Sequence, residues 1–210
     1  MYSYLFSYFV KSTGRVFSFE PNPYVCKILR KRLKGRNVEI YQRAVLDKSN
    51  KKVNLCIQPY TLAETSQVEA DSIIGSEADD MKRRKPVTNA LKKIETLTFC
   101  LDDLMEKSPE PIKLIKIDVE GVELSVLKGG QRLIERDQPV IFFEYTRAAN
   151  SPTVGTIPFL EQINYKCFDS QTMAPMEETL EETLLTDVIA IPRNKLDRYQ
   201  SLLDNLKELL

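Results

Sequence analysis

Short apolar runs of strand length alternate with amphipathic helical segments along most of this 210-residue chain, and that rhythm restricts the fold more than any other feature. Arg15–Glu20 (RVFSFE) reads as a strand that Pro21-Asn22-Pro23 breaks, and Pro23 suits the first turn of a helix running to about Leu33. The apolar stripe of that helix is Val25, Ile28, Leu29 and Leu33. Lys27, Arg30, Lys31, Arg32, Lys34 and Arg36 crowd the other side, the pattern of a solvated face. Asn37–Val45 is the next strand and its exit, and Val53–Ile57 and Thr96–Leu101 are two more. Lys113–Val119 (KLIKIDV) has the apolar weight of a strand covered on both sides. A helix over Val122–Arg136, a strand over Val140–Tyr145 and a helix near Ile157–Ile163 follow. Strands near Tyr165–Asp169 and Thr186–Ile191 precede a last helix, capped by Asn194 and lined by Leu196, Tyr199, Leu203, Leu206 and Leu210. Such alternation predicts an α/β fold: one domain over residues 1–210, with a doubly wound, mostly parallel sheet and helices on both faces.

Two segments interrupt the rhythm. Gln58–Leu91 is polar, contains Lys82-Arg83-Arg84-Lys85 and is too long for an ordinary connection, which marks it as a variable excursion or lid. Tyr2–Lys11 reads as a short helix with Leu5, Phe6 and Phe9 on one face, stopped at Thr13-Gly14. The apolar start is far short of the ~20 residues a membrane span needs and has no basic lead-in, so no stable membrane insertion is expected.

Composition removes several kinds of chemistry. The chain has no histidine, which excludes Ser-His-Asp and Cys-His catalysis and His-ligated metal sites. Its 30 basic and 30 acidic side chains cancel, so no global field draws it to nucleic acid or anionic lipid. Cys26, Cys56, Cys100 and Cys167 form no CxxC pair and sit in apolar runs, which reads as reduced thiols in a cytoplasmic protein.

What remains for chemistry is carboxylates. Ligands of open parallel sheets bind beyond the carboxyl ends of the strands, where this chain places Glu20, Asp118 with Glu120, and Glu144. Glu20 can accept hydrogen bonds from two ribose hydroxyls, or simply favour the start of the following helix. In Lys116-Ile117-Asp118-Val119-Glu120-Gly121-Val122-Glu123, two acids lie close together as the chain leaves a strand and Gly121 lets the backbone turn. Such a pair can hold a cation, position a hydroxyl or raise one another's pKa towards general-base use, although spacing supplies no third metal ligand. With histidine absent, the candidate bases are Asp118, Glu120 and secondarily Glu144 or Tyr145. Gly129-Gly130 would cost about 1 kcal/mol each inside a helix, and close helix–sheet packing would explain them.

Taken together, FSFEPNP (Phe17–Pro23), RAV (Arg43–Val45), TLTFCLDDL (Thr96–Leu104), LIKIDVEGVELSVLKGG (Leu114–Gly130) and PVIFFE (Pro139–Glu144) resemble the FkbM family of S-adenosylmethionine-dependent methyltransferases. The resemblance runs from about Tyr2 to Glu144 and leaves 146–210 as a family-variable part. It implies a Rossmann-like methyltransferase sheet, S-adenosylmethionine as cofactor, and O-methylation of a sugar, glycolipid or secondary-metabolite hydroxyl. By this resemblance Glu20 binds the ribose, Pro21 and Asn22 flank the adenine, and Ala44 and Val45 lie on its other side. Asp118 sits beside the methionine end of the cofactor and the acceptor hydroxyl, with Glu120 nearby. Val53–Ile57 and Thr96–Leu101 correspond to a family hairpin, with the excursion over the acceptor site.

Family members open with a strand and a glycine-rich turn, whereas Gly14, Gly35 and Gly75 are isolated here. The expectation is therefore a sheet whose first strand is missing and whose open edge favours self-association. The expected partner is a small-molecule or glycan hydroxyl acceptor. The competing expectation is a truncated, non-catalytic methyltransferase-like remnant or interaction module. A nucleotide-dependent reductase is a third, weaker reading, since the phosphate-binding glycines are also missing.

Overall fold

In a computed structural model the described residues are 2–57, 66–68, 92–147, 151, 153–176 and 184–199. They fall into two compact units, Met1–Phe99 and Cys100–Leu210.

The first unit opens with α1 (Tyr2–Phe9), β1 (Val16–Phe19), α2 (Pro23–Arg32) and β2 (Val38–Tyr41). β1 and β2 pair in parallel, with Val16 opposite Val38 and Phe19 opposite Tyr41. Proline at the first helical position fixes φ for entry to α2, and the Asn22 side chain caps it by accepting from the Tyr24 amide at 3.0 Å. α2 buries Cys26 and the following Leu33, while Ile28, expected on the apolar stripe, is exposed. α1 departs further from expectation. Ser7 is its one buried residue among those described, and Leu5 and Phe9 face solvent.

The rest of this unit is β3 (Ala44–Val45), β4 (Lys52–Ile57), β5 (Ser66–Val68) and β6 (Lys92–Phe99), in the order β3-β6-β4-β5. β4 and β6 form the expected antiparallel hairpin, and β5, from within the 58–91 excursion, extends it on the far side of β4. The remainder of that excursion lies outside the described residues.

The second unit contains β7 (Leu114–Ile117), α3 (Glu123–Lys128), α4 (Gln131–Asp137), β8 (Val140–Arg147), α5 (Thr156–Gln162), β9 (Tyr165–Asp169) and β10 (Leu184–Pro192). Its sheet runs β7-β8-β10-β9. β7 and β8 are parallel, whereas β10 is antiparallel to both its neighbours. Ile141, Phe143 and Tyr145 of β8 alternate inward with Val188 and Ala190 of β10 to make the core, and Leu127 and Ile134 cover it. β7 is not covered on both faces as its composition predicts: Leu114 is 45% exposed and Ile117 alone is buried. Among the described residues it is the end strand of its sheet.

The single helix expected over Val122–Arg136 is two helices, broken at Gly129-Gly130. The Gly129 carbonyl accepts from the Asp102 amide at 2.9 Å, and the Asp102 carboxylate accepts from the Leu133 amide at 2.8 Å. Asp102 thereby supplies the acceptor that the first turn of α4 needs. A Cβ at Gly130 would lie 3.1 Å from the Leu101 side chain, so close packing does account for this glycine. Gly130→Val is expected to cost about 1–3 kcal/mol through overpacking, measured by urea unfolding. The Asn194 side-chain nitrogen donates to the Gln138 side chain at 2.8 Å, and the last expected helix lies mostly outside the described residues, beyond Tyr199. None of the four cysteines is bridged; Cys26 and Cys167 are fully buried, and burial pushes the Cys26 thiol up to about 11.

Candidate functional site

In the first unit, Glu20 follows directly on β1, its amide held by the Tyr41 carbonyl at 3.0 Å. Its Oε1 accepts from the Asn22 amide at 2.8 Å, which fixes the carboxylate over the turn into α2. Burial raises the Glu20 pKa, and the Asn22 bond opposes that rise in part. Pro21 is half-buried, and Asn22 is buried with its side-chain oxygen engaged as the α2 cap. Ala44 and Val45 are buried in β3 against Thr98 and Phe99 of β6.

Sequence reasoning missed the aromatic cluster beside Glu20. Phe19 stacks on Tyr41 with ring centroids 5.0 Å apart and lies 4.8 Å from Phe99, while Tyr41 and Phe99 are 5.7 Å apart. The available signal was Phe19 itself, one residue before the acid in FSFE.

In the second unit, Asp118 leaves the carboxyl end of β7 exposed to solvent. Glu120 has φ +57 and Gly121 φ +105, so the backbone turns through two successive left-handed residues before α3. At Glu120 that conformation is uncommon for a side-chain-bearing residue. The Lys116 ammonium lies 4.0 Å from an Asp118 oxygen, 3.5 Å from Asp187 on β10 and 4.5 Å from the centre of the Phe142 ring. Its side chain is only 7% exposed, so this cation is poorly screened by water. Sheet register explains the gathering. Lys116 pairs with Phe142, and two residues on, Glu144 pairs with Asp187. Lys116 and Asp187 were not singled out from sequence, because their meeting depends on register across β8.

Glu123 is the other residue whose role was missed. It is 2% exposed, its Oε1 accepts from the Gly121 amide at 3.1 Å, and its Oε2 has no hydrogen-bond partner. Burial is the largest cause of a raised pKa at this carboxyl, and the charge of Glu144 adds to it. The folded protein thus binds this proton more tightly than the unfolded chain does. The stability this confers is complete below the ordinary glutamate value of 4.5 and is lost as pH rises from there through the folded value. Glu123→Gln keeps an acceptor for Gly121 without the ionisation. In urea unfolding at a series of pH values, the variant is expected to gain on the wild type as pH rises; parallel pH profiles would refute this assignment.

Among the described residues no group of three or more His, Cys, Asp or Glu side chains is placed to hold a metal ion. None of their helices is long and apolar enough to cross a membrane.

Each unit is a mixed α/β assembly in which an acid follows the carboxyl end of a parallel strand, an arrangement found in ligand-binding α/β proteins. The chain belongs to the FkbM methyltransferase family: the Methyltransferase FkbM domain matches residues 1–167. Among solved structures it is similar to the methyltransferase FkbM from Methylobacillus flagellatus KT, with 16% identity and a TM-score of 0.43. That likeness covers 83% of this chain and 36% of the other, so this chain spans about a third of that protein's length. No curated protein matches the sequence.

Proposed function

We propose that this protein is an S-adenosylmethionine-dependent O-methyltransferase acting on a hydroxyl of a sugar, glycolipid or secondary metabolite. The observation that supports this most is Asp118, exposed at the end of β7 with the Lys116 ammonium beside it, within the matched FkbM domain. The Rossmann-like reading draws on the parallel pairs β1–β2 and β7–β8. β1 has β2 as its sole sheet partner and β7 has β8 as its own, among the described residues. The whole chain is read as one methyltransferase-like domain working in the cytoplasm, and self-association through an open strand edge belongs to the same reading.

The cofactor supplies an electrophilic methyl group when bound. The donor set of the first unit suits its nucleoside end. Glu20 offers a carboxylate to two ribose hydroxyls, and Pro21, Asn22, Ala44 and Val45 are the residues assigned to the adenine. Asp118 would orient the acceptor hydroxyl and take its proton, with Glu120 assisting, and loss of that proton would relieve the positive charge of an alkylated hydroxyl oxygen; the cofactor would leave as S-adenosylhomocysteine.

Titration calorimetry with S-adenosylmethionine and with S-adenosylhomocysteine tests the reading. Saturable binding of both supports it. Binding of neither favours the remnant.

A further inference from the structure

β7 carries a cation inside an otherwise apolar strand. In Leu114-Ile115-Lys116-Ile117 the lysine side chain is 7% exposed. An ammonium so far from water is costly unless anions or an aromatic face replace its hydration. Here an Asp187 oxygen lies 3.5 Å from it, an Asp118 oxygen 4.0 Å, and the centre of the Phe142 ring 4.5 Å.

Sheet register brings these groups to one face. Lys116 lies opposite Phe142 of β8, Phe142 opposite Ile189 of β10, and Glu144 opposite Asp187. Residues two apart on a strand share a face, so Glu144 and Asp187 lie on the side of Phe142 and Ile189. The contact with Lys116 keeps Asp118, one residue beyond β7, on that side as well. One buried cation therefore serves a face with three acids, and it stands between two of them. Backbone pairing fixes Phe142 and Asp187, and they in turn fix the Lys116 nitrogen. A fixed ammonium favours one direction for the Asp118 carboxylate, which is half-exposed and would otherwise turn among rotamers.

We propose that Lys116 is a positioning residue: clamped by Asp187 and the Phe142 ring, its ammonium holds the Asp118 carboxylate where it receives the proton of the acceptor hydroxyl. Asp187 acts on the chemistry through Lys116. The inference rests on the methyl-transfer reading above. In that reading the bond from sulfonium sulfur to methyl carbon breaks, the bond from acceptor oxygen to that carbon forms, the hydroxyl proton passes to Asp118, and S-adenosylhomocysteine leaves. Orienting the reacting groups is a large part of the rate of such a step.

Steady-state transfer of labelled methyl to alkyl glycosides and phenols tests it, with urea unfolding alongside. Lys116→Met keeps the length of the side chain and removes its charge. It is expected to lower kcat about 10- to 100-fold and to leave the acceptor KM within about 3-fold of wild type. Lys116→Arg, which keeps a cation, is expected to fall between the two. Asp187→Asn is expected to lower kcat about 3- to 10-fold. In an Asp118→Asn background Lys116→Met should change the rate by less than about 2-fold, because the carboxylate it positions is gone. A purely structural lysine would lower the urea midpoint, leave the folded fraction at the wild-type rate, and multiply its effect with Asp118→Asn; either kinetic result overturns the proposal. Should Lys116→Met not fold, an undiminished kcat in Asp187→Asn overturns it on the same terms. Urea unfolding supplies an arm that needs no turnover: Lys116→Met and Asp187→Asn are expected to shift the midpoint non-additively, and additive shifts would break the clamp even in an inactive protein. Wild type that transfers no methyl overturns the reading of the site and this proposal with it. An active wild type matched by every Lys116 and Asp187 variant overturns the proposal alone.

Discussion

Asp118→Asn is expected to lower methyl transfer by about 10²–10⁴-fold, the usual contribution of a side chain that orients or deprotonates a reacting hydroxyl. The substitution keeps shape and hydrogen-bonding capacity and removes the charge. Asp118 is exposed beyond the end of β7 and packs into no core, so the variant should unfold at the same urea concentration as wild type. Glu120→Gln is expected to cost less, because Glu120 lies in the left-handed turn two residues beyond Asp118. The measurement is single-turnover transfer of labelled methyl to a panel of hydroxyl acceptors, made on cofactor-saturated protein. If Asp118 matters only to structure, the variant loses stability and its folded fraction works at the wild-type rate. Equal rates for wild type and both variants would remove the two acids from the chemistry.

Glu20→Ala is expected to weaken S-adenosylmethionine binding by about 1–3 kcal/mol, roughly 5- to 150-fold, through loss of charge-assisted hydrogen bonds to the ribose. The pH dependence is a second signature. Burial raises the Glu20 pKa, so the carboxylate that would accept the ribose hydroxyls is neutralised at a higher pH than an ordinary glutamate. Wild-type affinity should fall as pH drops through that raised value, and the Glu20→Ala variant should lack this fall. Calorimetry across pH decides both points, and equal affinities with parallel pH profiles would take Glu20 out of the site.

How far the sequence alone reached depends on the range of the interactions involved. β1, α2, β9 and the strands β4 and β6 lie within a residue or a few of where apolar alternation and Pro23 place them. Those signals act over a few residues and need no knowledge of what packs where. The acids at strand ends were legible for the same reason, since each follows an apolar run. Glu20 and Asp118 do follow β1 and β7 in the structure, and both lie within the residues that the family match covers.

Tertiary contact decided the rest. The helix over Val122–Arg136 breaks at Gly129-Gly130 because Asp102 and Leu101, about thirty residues earlier, meet the break. β7 has the composition of a central strand, yet among the described residues it is the end strand of its sheet and leaves Leu114 exposed. Phe9 and Leu5 suit a core but lie in solvent, and nothing in their hydrophobicity says which face of α1 is covered. Glu123 looks like a helix-start acid, and only folding buries it, leaves one oxygen without a partner and raises its pKa. Lys116 and Asp187 are some seventy residues apart, joined across β8 by register. Local pattern fixes which segments become strands and helices and what leaves their ends. Burial, register and charge pairing are properties of surfaces that meet from distant parts of the chain, and those the fold alone determines.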